Sequence, residues 1–300
     1  MNDNKVCVVI PTYKGSDNLL RAVESVLNQT YKNIEIVVVD DNGEGTIEQQ
    51  KTEEVLKPYI ESQKIRYIKH KVNINGSAAR NTGVRATDSK YIAFLDDDDE
   101  YLPENIKNHI NKFGELSEDY GITYCAKKLF HKDGRTEVIT PVLDGDVLFD
   151  FMCSKIRIGS SFIMVKREAY DAVNGFDESF RRHQDWEFIA RILSNYKAGA
   201  IKEVGLNKYL IFRNSAKNPL QFEQNRLYYL EKLKFVINSF NKNQRQKIYD
   251  THYFQIGKEY FKAKNFKNSV KWAMKTSSAP VCIMKYFIDG MKYARRKLGL

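Results

Sequence analysis

The fold is decided by the stretch YIAFLDDDD at residues 91–99, where a run of mostly apolar side chains ends in four aspartates. A continuous apolar run of this length is typical of a strand that is buried on both faces of a sheet. Four adjacent carboxylates repel one another, so their position directly after a buried strand costs stability unless a cation or hydrogen-bond donors compensate. The stretch therefore predicts a buried strand that ends at a polar site.

Two similar strands come earlier in the chain, KVCVVI at residues 5–10 and IEIVVV at residues 34–39. A segment with helical spacing follows each of them, and a further helix is predicted between about residues 76 and 86. This alternation predicts an α/β fold with a mostly parallel, Rossmann-like sheet, right-handed crossovers and flanking helices. From residue 220 onward the chain is predicted to be helical.

Polar residues follow the strands of this predicted sheet at the points where the strands end. In an open parallel sheet, ligands bind beyond the carboxyl ends of the strands. The helix that contains Arg80 opens at the same edge. We therefore expect one site to contain Pro11, Thr12, Tyr13, Asp40, Asp41, Arg80, Asp96, Asp97 and Asp98.

The aspartate run has two interpretations. A hard divalent cation such as Mg²⁺ or Mn²⁺ suits a set of carboxylate oxygens. The alternative is a solvated acidic turn in which one aspartate caps the next helix. A calcium EF-hand loop starting at Asp96 is disfavoured, because its sixth position is Tyr101 and its twelfth is Lys107.

Four ordered motifs resemble those of a known family: VVIPTY at 8–13, VVVDDN at 37–42, GSAARNTG at 76–83 and FLDDDD at 94–99. They are similar to the nucleotide-sugar-binding signature of glycosyltransferase family 2, and the resemblance covers about residues 5–215. It implies the GT-A fold and an enzyme of the hexosyltransferase type. Such an enzyme transfers a sugar from a nucleotide sugar, here a UDP-sugar, with inversion of the anomeric centre.

The resemblance also implies roles in binding the nucleotide base. Pro11 and Tyr13 would line the uracil, with Tyr13 stacked on its face. Asp41 would accept a hydrogen bond from the uracil N3–H. Thr12 and Asp40, their neighbours in the two motifs, are expected in the same nucleotide site.

The remaining motif residues would bind the ribose and the diphosphate. Arg80 would face the base or the phosphates, where a guanidinium is suitable. Asp96 would lie near the ribose with Asp97 beside it, and Asp98 would hold the Mn²⁺ or Mg²⁺ ion that bridges the diphosphate.

The segment QDWE at residues 184–187 resembles the part of the family that carries the catalytic base. Asp185 would deprotonate the acceptor hydroxyl, and one base in line with the leaving group gives a single displacement with inversion. The residue before it is Gln184 rather than the usual glutamate. The alternative for Asp185 is a plain helix cap, and Glu187 is the next candidate for the base.

The net charge of +10 is unevenly distributed along the chain. Residues 1–220 contain 31 Lys+Arg against 33 Asp+Glu, whereas residues 221–300 contain 17 against 5. This asymmetry predicts two functional parts: a catalytic domain over residues 1–219 and a basic, aromatic-rich helical extension over 220–300. Within the catalytic domain, residues 1–100 would form the nucleotide-binding half and 101–219 the acceptor half.

Three interpretations compete for the basic extension. It could pack on the catalytic domain with a solvated basic face, or rest on an anionic membrane surface, to which clusters of lysine and aromatic residues are suited. Nucleic-acid binding is disfavoured because no recognised motif accompanies the charge. A glycan or lipid-linked acceptor in surface-polysaccharide assembly would suit a membrane-proximal extension, and a homo-oligomer is a further open possibility.

The four cysteines lie far apart in sequence, which excludes a CxxC zinc site and a dense disulfide framework. No apolar run reaches the 18 or so residues that a membrane span requires, and the N-terminal residues do not resemble a signal peptide. These features predict a cytoplasmic protein. The family resemblance implies a metal-dependent enzyme, and the basic extension could place it peripherally on the inner face of the cell membrane.

Other functions remain as alternatives. A sugar-nucleotide nucleotidyltransferase would be expected to have a Gly-rich phosphate loop after the first strand, where this chain has Pro11-Thr12-Tyr13-Lys14. A phospho-receiver domain would place its aspartate pair after its first strand, not its second. A non-enzymatic nucleic-acid-binding protein would not be expected to confine its basic charge to the last quarter of the chain.

Overall fold

The computed structural model describes residues 4–210, 218–286 and 288. The strands are β1 Val6–Thr12, β2 Ile34–Asp40, β3 Arg66–Lys69, β4 Tyr91–Phe94, β5 Asp99–Tyr101, β6 Tyr120–Phe130, β7 Thr136–Ile139, β8 Ile163–Lys166 and β9 Lys197–Tyr209. The helices are α1 Ser16–Leu27, α2 Ile47–Glu61, α3 Gly76–Arg85, α4 Asn105–Glu115, α5 Leu148–Met152, α6 Arg167–Ala172, α7 Gln184–Leu193, α8 Pro219–Lys232, α9 Lys234–Asn238, α10 Lys242–Lys262 and α11 Phe266–Ala273.

The chain divides into two compact units. One comprises Met1–Leu148 and Ile156–Arg213, and the other Phe149–Lys155 and Asn214–Leu300. The predicted boundary after residue 219 and the predicted halves at residue 100 stay predictions. Residue 287 and residues 289–300 of the predicted extension lie outside the described residues.

The first unit is built on a sheet with the strand order β3-β2-β1-β4-β8-β6-β9-β5, in which β7 pairs with β6. The first four strands are parallel, and Val9 of β1 lies opposite Val37 of β2 and Phe94 of β4. All three side chains are buried, as the continuous apolar runs predict. The α/β class and its parallel nucleus are confirmed.

Antiparallel strands extend this sheet beyond β4. Strand β8 runs antiparallel to both β4 and β6, and the short strand β5 runs antiparallel to the end of β9. The β5–β9 pairing sets Asp99 opposite Lys208, although the two residues are far apart in sequence. The antiparallel part of the sheet thus brings Lys208 of β9 next to the aspartate run.

Helix α3 packs closely on β1 because a glycine faces the strand. A Cβ atom on Gly83 would lie only 2.3 Å from Val9 Cγ1, which is far inside ordinary van der Waals contact. The last residue of the GSAARNTG motif is therefore required by helix–strand packing. This approach places the N-terminal turn of α3 at the carboxyl ends of β1 and β4.

The described part of the second unit is helical, apart from turns. Ile256, Tyr260 and Trp272 form a small buried cluster between α10 and α11. Glu223 of α8 accepts hydrogen bonds from the Tyr260 hydroxyl at 2.6 Å and from Trp272 Nε1 at 3.0 Å. Within the described ranges, no helix has both the length and the apolarity needed to cross a membrane.

Candidate active site

A cavity of about 260 Å³ lies at the carboxyl ends of the parallel strands. Its lining includes eight of the ten residues predicted for the site: Pro11, Thr12, Tyr13, Asp41, Arg80, Asp96, Asp97 and Asp98. Gly76, Ala79 and Gln184 complete the lining and were not predicted as site residues. The two predicted residues outside the lining are Asp40 and Asp185.

Asp41 is held by three donors from the segment between β3 and α3. Its Oδ1 accepts hydrogen bonds from His70 Nδ1 at 2.7 Å and from the Ile74 backbone at 2.9 Å, and its Oδ2 accepts one from Asn73 Nδ2 at 2.8 Å. A carboxylate offers about four acceptor positions, so one position on Oδ2 remains for a donor in the cavity. Sequence reasoning missed His70, because a histidine at the end of a short strand carries no local signal of this contact.

Asp40 has a different position from its neighbour. It is fully buried, and its carboxylate accepts hydrogen bonds from the Tyr67 hydroxyl at 2.6 Å and from the Asn42 backbone at 2.8 Å. Consecutive residues of a strand point to opposite faces, which explains why only Asp41 reaches the cavity. The expected direct contact between Asp40 and a nucleotide finds no support in this geometry, and Asp40 instead fixes the turn after β2.

Asp97 also turns away from its neighbours in the aspartate run. Its Oδ2 accepts a hydrogen bond from Thr12 Oγ1 at 2.7 Å and lies against the start of α1, where a Cβ atom on Gly15 would be 1.9 Å from it. Burial raises the pKa of Asp97 to about 7. Gly15 is thus needed for the close approach of the helix N-terminus to this carboxyl group.

Asp96, Asp98 and Asp99 form the acidic cluster, with one carboxylate oxygen from each lying within 4.8 Å of the others. The third member is Asp99, which sequence reasoning did not select. It is fully buried, and among the described residues no donor reaches its Oδ1. A buried carboxylate oxygen without a donor is costly, and a hard cation would satisfy it. The donor set therefore fits Mg²⁺ or Mn²⁺.

Two basic side chains border this cluster. Arg80 Nη2 donates a hydrogen bond to Asp96 Oδ1 at 2.6 Å, and Arg80 Nη1 donates one to Gln184 Oε1 at 3.4 Å. Lys208 forms an ion pair with Asp99, and its Nζ lies 3.6 Å from Asp96 Oδ2. Burial raises the pKa of Asp99, and the ammonium of Lys208 opposes that rise. Only the pairing of β5 with β9 brings Lys208 here, so no local sequence signal indicated it.

Asp185 lies in the first turn of α7. It directly follows Gln184, which is part of the cavity lining. The N-cap of this helix is His183, so the alternative that Asp185 is the helix cap is wrong. Asp185 Oδ1 accepts a hydrogen bond from the Trp186 backbone at 3.0 Å, and a Cβ atom on Gly159 would lie 3.1 Å from its Oδ2. Loss of solvent raises the pKa of Asp185, and the charge of Arg80 opposes the rise.

Glu187, the other candidate for a base, is already engaged. Its two carboxylate oxygens accept hydrogen bonds from Arg191 Nε at 2.5 Å and Nη2 at 2.7 Å, and only 3% of the residue is exposed. A bidentate pair with arginine stabilises the ionised carboxylate and occupies one acceptor position on each of its oxygens. Glu187 is therefore a structural residue of α7, and Asp185 is the better candidate.

Lys127 of β6 is a buried basic residue that interacts electrostatically with Asp185. Its Nζ donates a hydrogen bond to the Arg157 carbonyl oxygen at 3.3 Å and lies 3.6 Å from the centre of the Phe162 ring. Burial lowers the pKa of Lys127 to about 7, and the charge of Asp185 opposes this shift. The sequence contains no motif that singles out this lysine.

A parallel α/β sheet with an acidic cavity at its carboxyl edge defines the class of α/β proteins that bind ligands at the strand ends. Residues 7–172 match the family model for glycosyl transferase family 2, and the chain belongs to this family. The predicted family and the predicted enzyme class, a glycosyltransferase, are thereby confirmed.

Two relatives illustrate the range of similar sequences. The chain is 33% identical over 199 residues to an uncharacterized glycosyltransferase of Rickettsia bellii, which covers 64% of this chain and 28% of that protein. It is 26% identical over 242 residues to the amylovoran biosynthesis glycosyltransferase AmsB of Erwinia amylovora, which covers 78% of this chain and 79% of that protein. The chain thus spans less than a third of the Rickettsia protein.

Solved structures support the fold. Staphylococcus aureus TarS 1-349, solved in complex with UDP-GlcNAc, has a TM-score of 0.61 at 13% identity, with 90% of each chain covered. The mannosyltransferase PcManGT of Pyrobaculum calidifontis, solved with GDP-Man and Mn²⁺, also has a TM-score of 0.61 at 13% identity, covering 96% of this chain and 80% of that one. The predicted GT-A fold is confirmed.

Proposed function

We propose that this chain transfers a sugar from a UDP-sugar to a hydroxyl group of a glycan or lipid-linked acceptor, with inversion at the anomeric carbon. The observation that carries the proposal is one cavity at the ends of the parallel strands, whose lining includes Tyr13, Asp41, Arg80, Asp96 and Asp98. Family membership supports glycosyl transfer, and the donor, the metal and the acceptor are proposed from the chemistry of this site.

The proposed uracil pocket lies between Tyr13 and Asp41. The Tyr13 residue is 50% exposed, so its ring is accessible to a stacked base. The remaining acceptor position on Asp41 Oδ2 suits the uracil N3–H. A guanine base also carries a ring N–H, so the choice between uridine and guanosine needs a direct test.

The acidic cluster is proposed to hold Mn²⁺ or Mg²⁺, with Asp98 and Asp96 as ligands and Asp99 beside them. A divalent cation there would neutralise the charge of the diphosphate leaving group. Arg80 and Lys208 supply positive charge from the chain itself at the same place. Arg80, held by Asp96 and Gln184, is oriented for contact with a phosphate.

Asp185 is proposed to take the proton from the acceptor hydroxyl as the oxygen attacks the anomeric carbon. A carboxyl group whose pKa is raised is a stronger base than an ordinary aspartate once it is ionised. The AmsB relative suggests an acceptor in polysaccharide biosynthesis. The basic second unit is proposed to bring the enzyme to an anionic membrane surface, where a lipid-linked acceptor would lie.

The direct test is calorimetry of UDP, GDP and ADP with Mn²⁺, with Mg²⁺ and with EDTA, followed by UDP release from a panel of UDP-sugars. UDP should bind more tightly than GDP or ADP, and EDTA should weaken its binding. The variant Asp98→Ala should weaken UDP binding more than tenfold, whereas Asp88→Ala, a mostly exposed aspartate outside the cavity, should bind as the wild type does. Tighter binding of GDP would overturn the donor proposal, and indifference to EDTA and to Asp98→Ala would overturn the metal proposal.

A further inference from the structure

Helix α11 carries a row of exposed apolar side chains on one face. Phe266 and Val270 of α11 and Met274 at its C-cap follow one another at four-residue intervals and are 53%, 44% and 66% exposed. Residues four apart lie on the same side of a helix, so these three form one continuous row, which we call the α11 row. The buried side of the helix consists of Ser269, Trp272 and Ala273.

A lysine follows each member of this row. Lys267, Lys271 and Lys275 are all exposed, so the apolar row is bordered by ammonium groups along its length. From residue 260 to residue 288 the sequence contains six lysines and no aspartate or glutamate. The segment therefore supplies no acidic side chain of its own to neutralise these charges.

The orientation of α11 is fixed from its buried side. Trp272 is 2% exposed, and its Nε1 donates a hydrogen bond to Glu223 Oε2 at 3.0 Å. Asn265 caps the helix by accepting a hydrogen bond from the Asn268 backbone at 3.2 Å. Turning the α11 row inward would expose Trp272 and break its hydrogen bond, so the row is held outward by the packing.

Single exposed apolar residues are normal on protein surfaces, but an ordered row flanked by lysines is not explained by chance exposure. Helices that lie in a membrane interface have this arrangement: apolar side chains enter the boundary between headgroups and acyl chains, and lysines contact anionic lipids. A nucleic acid would use the lysines but would have no use for Val270 and Met274, which cannot stack on bases.

We propose that the α11 row and its three lysines form the face by which this protein docks on an anionic lipid bilayer. This inference rests on the proposed function, which already gives a membrane as the partner of the second unit. What it adds is the set of residues that make the contact. Docking would hold the protein at the surface that carries a lipid-linked acceptor.

The test is co-sedimentation of the full chain with phosphatidylcholine vesicles that contain or lack phosphatidylglycerol. We expect the wild type to bind vesicles that contain phosphatidylglycerol at least tenfold more tightly than vesicles that lack it. The triple variant Phe266→Ser/Val270→Ser/Met274→Ser should lose tenfold or more in affinity with its charge unchanged. The triple variant Lys267→Gln/Lys271→Gln/Lys275→Gln should lose on the order of 100-fold, because each lysine near such a surface contributes about a fivefold gain.

Matched controls come from exposed residues of the first unit. Ile47→Ser/Val138→Ser/Val142→Ser removes three exposed apolar side chains, and Lys51→Gln/Lys57→Gln/Lys64→Gln removes three exposed charges. Both should bind vesicles within twofold of the wild type. Thermal unfolding of each variant checks its fold, and Val270→Ser alone serves as a milder substitution if the triple variant does not fold.

Three results would overturn the proposal. The first is equal binding of the wild type to neutral and anionic vesicles, and the second is unchanged vesicle binding by the serine variants. The third is tighter binding of the wild type to RNA or duplex DNA than to vesicles in the same buffer, which would assign the lysines to a nucleic acid. UDP binding measured on the same variants separates this result from the proposed catalysis, because the α11 row lies outside the cavity lining.

Discussion

At the scale of single residues, the two carboxylates of the first turn of α7 have different chemistry because their surroundings differ. Glu187 is paired with Arg191 in a bidentate ion pair, so it is a poor proton acceptor. Asp185 makes one hydrogen bond to a neighbouring backbone group, and its pKa is raised by loss of solvent. A proton acceptor needs a free oxygen, and a raised pKa makes a carboxylate a stronger base once it is ionised, so Asp185 is the better candidate.

The substitution Asp185→Asn tests this assignment. It keeps the shape of the side chain and removes the proton acceptor, so turnover should fall about 10²–10⁴-fold while UDP affinity stays unchanged. Steady-state kinetics and calorimetry measure the two quantities, and Asp171→Asn, an exposed residue of α6, is the control. Retention of more than about a tenth of the wild-type turnover at saturating substrates would show that another group is the base.

The dependence of the rate on pH gives a second test at this scale. Because the pKa of Asp185 is raised, kcat/KM should fall on the acid side at a higher pH than the value of about 3.9 of an ordinary aspartate would give. Lys127 has a pKa of about 7, so it is protonated at lower pH and favours the ionised form of Asp185.

Replacement of Lys127 by methionine should therefore move the acid limb to still higher pH. Lys128→Met is the matched control, because adjacent residues of a strand face opposite sides of the sheet. Superimposable pH profiles for Lys127→Met and the wild type would remove Lys127 from the electrostatics of the base.

At the scale of secondary-structure elements, the position of α3 against β1 shapes one wall of the cavity. Arg80 and Gly83 belong to the same ten-residue helix, and the contact of Gly83 with Val9 sets how far Arg80 lies from the acidic cluster. Arg80 Nη2 then reaches Asp96 at 2.6 Å. The Arg80 guanidinium also donates hydrogen bonds to the Gly76 carbonyl oxygen and to Gln184 Oε1. A small displacement of α3 would therefore lengthen the contact between Arg80 and Asp96.

The substitution Gly83→Ala should push α3 away from β1 and destabilise the protein. The added methyl group meets Val9 Cγ1 at 2.3 Å, and overpacking of this kind costs about 1–3 kcal/mol of unfolding free energy. Gly114→Ala is the matched control, since it lies in α4 with nothing within 4 Å of its added Cβ. There the better helix propensity of alanine should give up to about 1 kcal/mol of stabilisation. Urea unfolding of both variants measures the difference, and equal effects would contradict the packing argument.

At the scale of the whole molecule, the excess of basic residues and the proposed catalytic groups lie in different parts of the chain. The proposed catalytic groups lie in residues 1–220, where acidic and basic residues nearly balance, whereas residues 221–300 carry 17 basic and 5 acidic residues. In the part of residues 221–300 that the structure describes, most basic side chains are exposed, whereas the charged side chains of the cavity are buried or half-buried. Salt screens exposed charges much more than buried ones, so the two activities should respond differently to ionic strength.

Raising the ionic strength from roughly 0.05 M to about 0.5 M shortens the Debye length several-fold. Affinity for vesicles with phosphatidylglycerol should then fall on the order of 100-fold or more, because several lysines contribute. The affinity for UDP with Mn²⁺ should fall only several-fold. Co-sedimentation and calorimetry in the same buffers give both slopes, and slopes of equal steepness would argue against two separate surfaces.

The sequence by itself determined the parallel half of the sheet, the family and the identity of most cavity-lining residues. Apolar runs that are buried on both faces, punctuated by polar residues, encode strands and their ends locally, and parallel strands must bring those ends to one edge. Only the tertiary structure decided that Asp41 rather than Asp40 lines the cavity. It also decided that Asp99 rather than Asp97 joins Asp96 and Asp98 in the acidic cluster. It also supplied Lys208, Lys127 and His70. The physical reason is that strand pleat, helix approach and the antiparallel pairing of β5 with β9 are long-range geometry, and a local pattern of residues carries no information about partners 29 or 109 positions away.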